Sequence, residues 1–406
     1  MPRCSSNLSH PGFRKSAPCS TAVLRLNSRS PALRWPAEGS VQQTLNCGQG
    51  PDWHEARIFS FTGSKPSALI GSAMRLLFVK LKHIGDALLL TPTLQAVRKF
   101  HPKSEIWVVV RKGTEDILRG CAAIDRVLVA ASPEAGKRSF ASPWLDFKRV
   151  LELRERRFDY AFELTDGDRG RWFAGFSGAG KRCANTSFYP LNFWWRLWIN
   201  GQSRHEWTQG HRVEKDFFTV RDFLSIGNSP PPMIFDPSRT ARWDGVEAGT
   251  SFAVLHPGTR WRRKRWSNDR WLQVGRFLLD RVHRLVISTG PDAEETDNAA
   301  RFVADLGPRA ISTGGTLTWA HLAGLLHRAK LFVGVDTAAM HLAAACQCPI
   351  VALFGPSSVT QWAPWKVPHE IVAPLAGSSD AKLAEEALMA AIDAERVIQA
   401  CGRMLR

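Results

Sequence analysis

The stretch from Leu331 to Leu353 constrains the fold most. An apolar run, Leu331 to Val335, leads to Asp336-Thr337 and then to small residues as far as Ala345. A second apolar run, Ile350 to Leu353, is closed by Gly355-Pro356. Short apolar runs without polar alternation suit strands buried on both faces, and such strands belong to parallel sheets covered by helices. The strand, turn, helix, strand order therefore predicts an α/β fold. It also places Asp336 and Thr337 at a helix N-terminus, where free N–H groups and about half a positive charge favour a phosphate or diphosphate. The plainer reading is that Thr337 only caps the helix and Asp336 only complements its dipole.

Similar alternation extends over most of the chain. Residues 1–73 are rich in Ser, Pro, Arg and Gly without sustained periodicity, and read as a disordered extension or an over-long start. Met74 opens the first buried strand, Arg75 to Leu81. The loop Lys82-His-Ile-Gly-Asp86 follows, then a helix to Phe100 in which Pro92 must sit in the first turn or form a kink. Further strands are predicted over 105–110, 124–129 and 160–164. Residues 167–212 break the pattern, mixing aromatics with arginines and lysines. In the plainer reading the tryptophans are core and the bases a solvated rim; in the functional reading this is a basic surface that grips an anionic substrate at a membrane. A Pro-rich linker near 229–238 then separates a domain over 74–245 from one over 246–406. The second series has strands at 252–255 and 285–288, a helix capped by Ser267, and a helix from Thr318 to Ala329. At 406 residues with 44% hydrophobic content, each half can bury a core.

The formal charge of +17 calls for an acidic partner: nucleic acid, an anionic lipid surface or a phosphorylated substrate. No apolar run approaches bilayer-spanning length, so a soluble or peripherally attached protein is expected. Eight cysteines without paired spacing read as reduced thiols of a cytosolic protein.

In such a fold ligands bind outside the carboxyl ends of the strands. Three loops of the second half converge there. Gly258, Thr259 and Lys264 offer a hydroxyl and an ammonium to a diphosphate, Glu294 an acceptor for a ribose hydroxyl, and Asp336-Thr337 the helix end. There is no Gly-rich dinucleotide fingerprint, Walker loop or paired-carboxylate motif, so neither a cofactor nor a metal is expected.

From Met74 to about Trp365 the sequence resembles the lipopolysaccharide core heptosyltransferases of glycosyltransferase family 9, and within them the third core enzymes. The residues that carry the likeness are Gly85-Asp86-Ala-Leu-Leu-Leu-Thr-Pro, Leu164-Thr-Asp-Gly, the run from His256 to Trp266, Ser288-Thr-Gly-Pro-Asp, and Gly334-Val-Asp-Thr-Ala-Ala-Met-His with Phe354-Gly-Pro-Ser. Each is weak singly; five in family order are specific. The resemblance implies a GT-B fold, two Rossmann-like domains facing across a cleft. It implies inverting transfer from ADP-heptose to an inner-core heptose of lipopolysaccharide, by a cytoplasmic monomer at the inner face of the inner membrane. It makes Asp86 the base. It gives Thr259 and Lys264 the diphosphate, Glu294 the ribose, Leu317 the adenine, Asp336 the sugar, and Thr337 and Ala338 backbone N–H groups for phosphate. His341 is then placed by the donor, and His83 with Arg169, Arg171 and Arg204 by the acceptor, although a lone histidine is more often a packing residue.

Two other classes fit part of the sequence. A different sugar-nucleotide enzyme, such as an epimerase, shares the architecture. A nucleic-acid binder would use the charge and interleaved aromatics, but no recognised binding module is present, and no nucleic-acid partner is expected.

Overall fold

The first six strands, β1 (Arg75–Lys80), β2 (Glu105–Arg111), β3 (Arg126–Ala130), β4 (Tyr160–Glu163), β5 (Lys181–Asn185) and β6 (Gly201–Ser203), form a sheet in the order β3-β2-β1-β4-β5-β6. A second sheet comprises β7 (Phe252–His256), β8 (Arg284–Ile287), β9 (Ala310–Ser312), β10 (Leu331–Val335), β11 (Ile350–Leu353) and β12 (His369–Val372), in the order β12-β11-β10-β7-β8-β9. All neighbours are parallel. The computed structural model describes residues 73–131, 141–375 and 385–406. The extension expected over 1–73 lies, Ala73 apart, outside them.

Each sheet starts in its middle, grows outward one way, and returns to grow the other way. The reversal falls between β1 and β4 in one half and between β7 and β10 in the other. Adjacent loops there leave in opposite directions and open a crevice at the carboxyl ends. Arg75 apart, the central strands are buried, which is why they carry the apolar runs over 76–79, 252–255 and 331–335.

Residues 167–212, expected to interrupt the alternation, continue it. They supply the helix Asp168–Phe176, β5, the helix Phe193–Trp198 and β6 at the sheet edge. β6 has only three residues and β5 begins Lys181-Arg182, so neither carries the apolar run that marks an inner strand. Pro92 lies in the body of the helix Ile84–Phe100, not its first turn. The Leu88 carbonyl that its missing N–H would have met accepts from the Thr91 hydroxyl at 2.7 Å.

The helices Ile84–Phe100 and Ala338–Ala345 join the halves. The second reads Ala-Ala-Met-His-Leu-Ala-Ala-Ala, and its small side chains let the first approach closely. Gly85 stands at the contact, where a Cβ would come within 3.0 Å of His341 Cδ2. The expected linker is itself packed: Met233 and Phe235 are buried in the core, and the Phe235 N–H donates to Ala345 O at 2.8 Å.

Candidate active site

Four loops leave the two points of reversal. β1 runs into Leu81-Lys82-His83 and the start of the helix Ile84–Phe100, and β4 into Leu164-Thr165-Asp166-Gly167. β7 runs into Pro257-Gly258-Thr259-Arg260, and β10 into Asp336-Thr337 and the helix Ala338–Ala345. Asp86 lies in the first helical turn and is buried; its Oδ2 accepts from the His83 N–H at 3.2 Å. Opposite stands Asp336, also buried, with Lys264 Nζ 2.6 Å from Oδ2 and His341 Nε2 3.7 Å from Oδ1. Lys264 also donates to Asp336 O at 3.2 Å, which sets the ammonium at the mouth of the helix Ala338–Ala345. Burial holds the His341 pKa below its ordinary value, although Asp336 and Asp86 pull the other way. Its imidazole is therefore neutral at neutral pH. His83 is lowered for the same reason, and its ring meets Trp261 edge-on across the cleft, 6.4 Å between centroids.

The basic loop divides its charges. Trp266 is buried and donates its indole N–H to Ile392 O at 3.0 Å, which anchors the loop's end. Lys264 turns to Asp336, while Arg265 forks onto Glu294 at 2.5 and 3.0 Å. Arg260 and Arg263 flank the Trp261 ring, each 5.4 Å from its centroid. Glu294 is thus exposed in the first turn of the helix Ala293–Leu306 and already engaged. Its neighbour Glu295 reaches inward, accepts from the Gly290 N–H at 2.9 Å, and lies where a Cβ on Gly258 would meet its Oε2 at 2.5 Å. A side chain at 258 would displace the Glu295 carboxylate from this place. Thr259 is buried, and its hydroxyl accepts from the Trp261 N–H at 3.3 Å. Leu317 is partly buried beyond the carboxyl end of β9.

Thr337 does not behave as a plain cap. It holds the N-cap position, yet its hydroxyl makes no cap bond and is buried without a hydrogen-bond partner among the described residues. With Lys264 overhead, the helix end presents free donors to one small volume.

Of the arginines assigned to the acceptor side, Arg169 is bound to Asp146 at 2.6 Å and to the Ala131 carbonyl, and buried Arg171 donates to Tyr189 O at 2.7 Å. Both brace the loops around β4 from within the first half. Arg204 is exposed.

Sequence reasoning missed a buried charge cluster under the first switch point. Lys80, the last residue of β1, reaches Asp216 at 2.6 Å; Lys215 pairs with Asp166 and lies 3.9 Å from Asp216; Arg212 is 3.8 Å from Asp166. Burial by itself would lower the Lys80 pKa, but Asp216, Asp86 and Asp166 outweigh it and hold it above its ordinary value. Glu163 ends β4 beside this cluster and accepts from the N–H groups of Thr165 and Asp166 at 2.7 and 2.9 Å. Burial first, and Asp166 second, push its pKa up to about 7.

That shift has a sign. A carboxyl raised in the folded state contributes stability that is complete below its unfolded value and is lost as pH rises through about 7. The lost contribution is ~3 kcal/mol. Glu163→Gln keeps an oxygen for the two N–H groups and cannot ionise. The difference in urea-unfolding free energy, variant minus wild type, is expected to grow by that order between pH 5 and pH 8. A difference independent of pH would show that Glu163 is not the titrating group.

Residues 147–390, more than half of the chain, match the model of glycosyltransferase family 9 (heptosyltransferase). Over 288 residues the chain is 25% identical to lipopolysaccharide heptosyltransferase 3 of Escherichia coli, covering 69% of this chain and 83% of that protein. The crystal structure of the glycosyl transferase family 9 from Veillonella parvula superposes with a TM-score of 0.67 at 20% identity, covering 82% of this chain and 97% of that one. The solved E. coli heptosyltransferase WaaC with ADP-2-deoxy-2-fluoro heptose gives 0.65 at 21% identity, covering 81% and 99%. The fold is accordingly GT-B, as expected from the sequence.

Proposed function

This chain belongs to glycosyltransferase family 9, the heptosyltransferases, and we propose that it moves heptose from ADP-heptose onto a heptose of the lipopolysaccharide inner core with inversion at the anomeric carbon. The observation that carries the reading is the meeting of Asp86 from one half with Lys264, Asp336 and the open start of the helix Ala338–Ala345 from the other. The diphosphate lies against the N–H groups of Thr337 and Ala338, with Lys264, Gly258 and Thr259 beside it. Glu294 serves the ribose and Leu317 the adenine, for which Arg265 must share its hold on Glu294. Asp336, kept in place by Lys264 and neutral His341, meets the heptose. His83 and Arg204 serve the acceptor, while Arg169 and Arg171 stiffen its loops. In the reaction an acceptor hydroxyl oxygen bonds to the anomeric carbon as the bond to the β-phosphate oxygen breaks. Asp86 takes the hydroxyl proton and ADP leaves as an anion, stabilised by Lys264 and the helix end. The enzyme works as a cytoplasmic monomer at the inner face of the inner membrane.

Product analysis with purified protein tests this. ADP-heptose with a heptose-terminated core saccharide is expected to yield ADP and an acceptor heavier by one heptose. In Lys264→Ala the donor KM is expected to rise about tenfold or more, as befits a lost charge-assisted contact. Conversion of the sugar with no acceptor present would instead make the protein an epimerase.

A further inference from the structure

Helices Ala141–Arg156, Asp168–Phe176 and Phe193–Trp198 all cover one face of the first sheet, packing Val150, Leu153, Phe173, Ala174 and Trp195 onto Leu77, Val79 and Val109. A soluble layer would be polar on its outer side. This one is not. Phe193 is 80% exposed, Leu197 58% and Trp194 53%, and Trp144 on the first helix is 58% exposed. Trp172, Phe176, Trp198 and Trp194 run as a chain of ring contacts with centroids 6.1, 4.3 and 6.3 Å apart, joining the helices Asp168–Phe176 and Phe193–Trp198, and Trp144 stacks on Phe147 on the first helix. Exposed aromatic surface on this scale marks an interaction site.

Its charge identifies the occupant. From Arg169 to His205 the chain carries no Asp or Glu, but has Arg169, Arg171, Lys181, Arg182, Arg196 and Arg204. Lys181 and Arg196 are exposed, and Lys148 lies over the Trp144 ring at 5.5 Å. The acids on these helices are Asp168, which accepts from the Trp195 indole N–H at 2.8 Å, and on the first helix Asp146, bound to Arg169, Glu155, and Glu152, bound to Arg126 and Arg149. Exposed tryptophan and phenylalanine beside the exposed bases Lys148, Lys181, Arg196 and Arg204 are the chemistry of a bilayer interface with anionic headgroups. No described helix is long and apolar enough to cross a membrane.

We propose that this aromatic face docks the enzyme on an anionic lipid bilayer. The helix Asp168–Phe176 that forms its middle follows directly on the loop Leu164-Thr165-Asp166-Gly167, so the docked face lies next to the acceptor side of the cleft. The inference rests on the proposed function only for supplying a lipid-linked acceptor; the surface itself is read from exposure and charge.

Sedimentation with vesicles tests it. The full chain is expected to pellet with phosphatidylethanolamine vesicles containing phosphatidylglycerol and to stay in solution with phosphatidylcholine alone. Phe193→Ser with Trp194→Ser and Leu197→Ser is expected to weaken that binding roughly tenfold or more, as loss of the buried apolar area requires. Turnover of a water-soluble, lipid-free core saccharide should not change, which separates failure of docking from failure of the proposed reaction. Phe193→Ser alone, at the most exposed position, covers the case in which the triple variant does not fold. Wild-type protein that ignores the anionic vesicles would overturn the proposal, as would variants that bind equally well. So would light scattering that shows a dimer dispersed by the same substitutions, since the face would then be a contact between two copies.

Discussion

Asp216→Leu is expected to cost roughly 3–5 kcal/mol of stability, the range for removing one partner of a buried ion pair. Asp216 is fully buried and so is the Lys80 ammonium 2.6 Å away; Lys215, 3.9 Å off, is equally shielded. Leucine fills most of the volume, so the loss comes from charge and not from a cavity. The variant should also show a particular pH dependence. Without Asp216, burial dominates at Lys80 and its folded pKa falls below the unfolded value, the opposite of its present direction. A lysine lowered in the folded state makes stability rise with pH, so the deficit against wild type should shrink between pH 7 and 10 in denaturant titrations. Adding Lys80→Met should recover a good part of it, because the uncompensated charge has gone. A deficit indifferent to pH and to the second substitution would mean that Asp216 matters for packing alone.

Lys80 and Asp216 are 136 residues apart, and nothing local pairs the end of a strand with the middle of the helix Arg212–Arg221. Periodicity reports which face of an element is buried; it does not report which buried charge finds which. The same limit explains Glu294, whose carboxylate reads as free until Arg265 is seen across it, and Arg169, which reads as a surface base until Asp146 is seen beside it. What was legible was the architecture. β1, β7 and β10 are flanked by strands on both sides and covered on both faces, and so leave the apolar runs over 76–79, 252–255 and 331–335. The edge strands β5 and β6, short and partly polar, leave no such trace. Thr337 lies between these cases. Sequence puts it at a helix start, but only the structure shows that its hydroxyl serves no cap.

Asp86→Asn is expected to lower turnover by about 10²–10⁴, the usual worth of a positioned general base, while leaving the fold in place. The residue's helix-capping bond and its proposed role as base are separable. As the third residue of the helix Ile84–Phe100 it ties the His83 N–H to the first turn at 3.2 Å, and an asparagine carbonyl accepts that bond equally well. Its negative charge also complements the helix dipole, a term of roughly 0.5–1 kcal/mol that asparagine gives up. Unfolding free energy should therefore fall by that amount together with the share of the buried Lys80 charge that Asp86 offsets, while Asp216 and Asp166 continue to balance it. Proton acceptance is the function asparagine cannot perform. Donor binding supplies the internal control, because Lys264 and Thr337, the residues proposed for the diphosphate, lie in the other half from Asp86. The shift of the thermal transition by ADP should match wild type, and kcat should carry the loss with the donor KM little changed. If the variant turns over at a near-normal rate, Asp86 is only a cap and another group takes the proton. Glu163, poised near neutrality on the same side of the cleft, would be the first to examine, since its titration through about 7 would then have to appear in the pH profile of kcat.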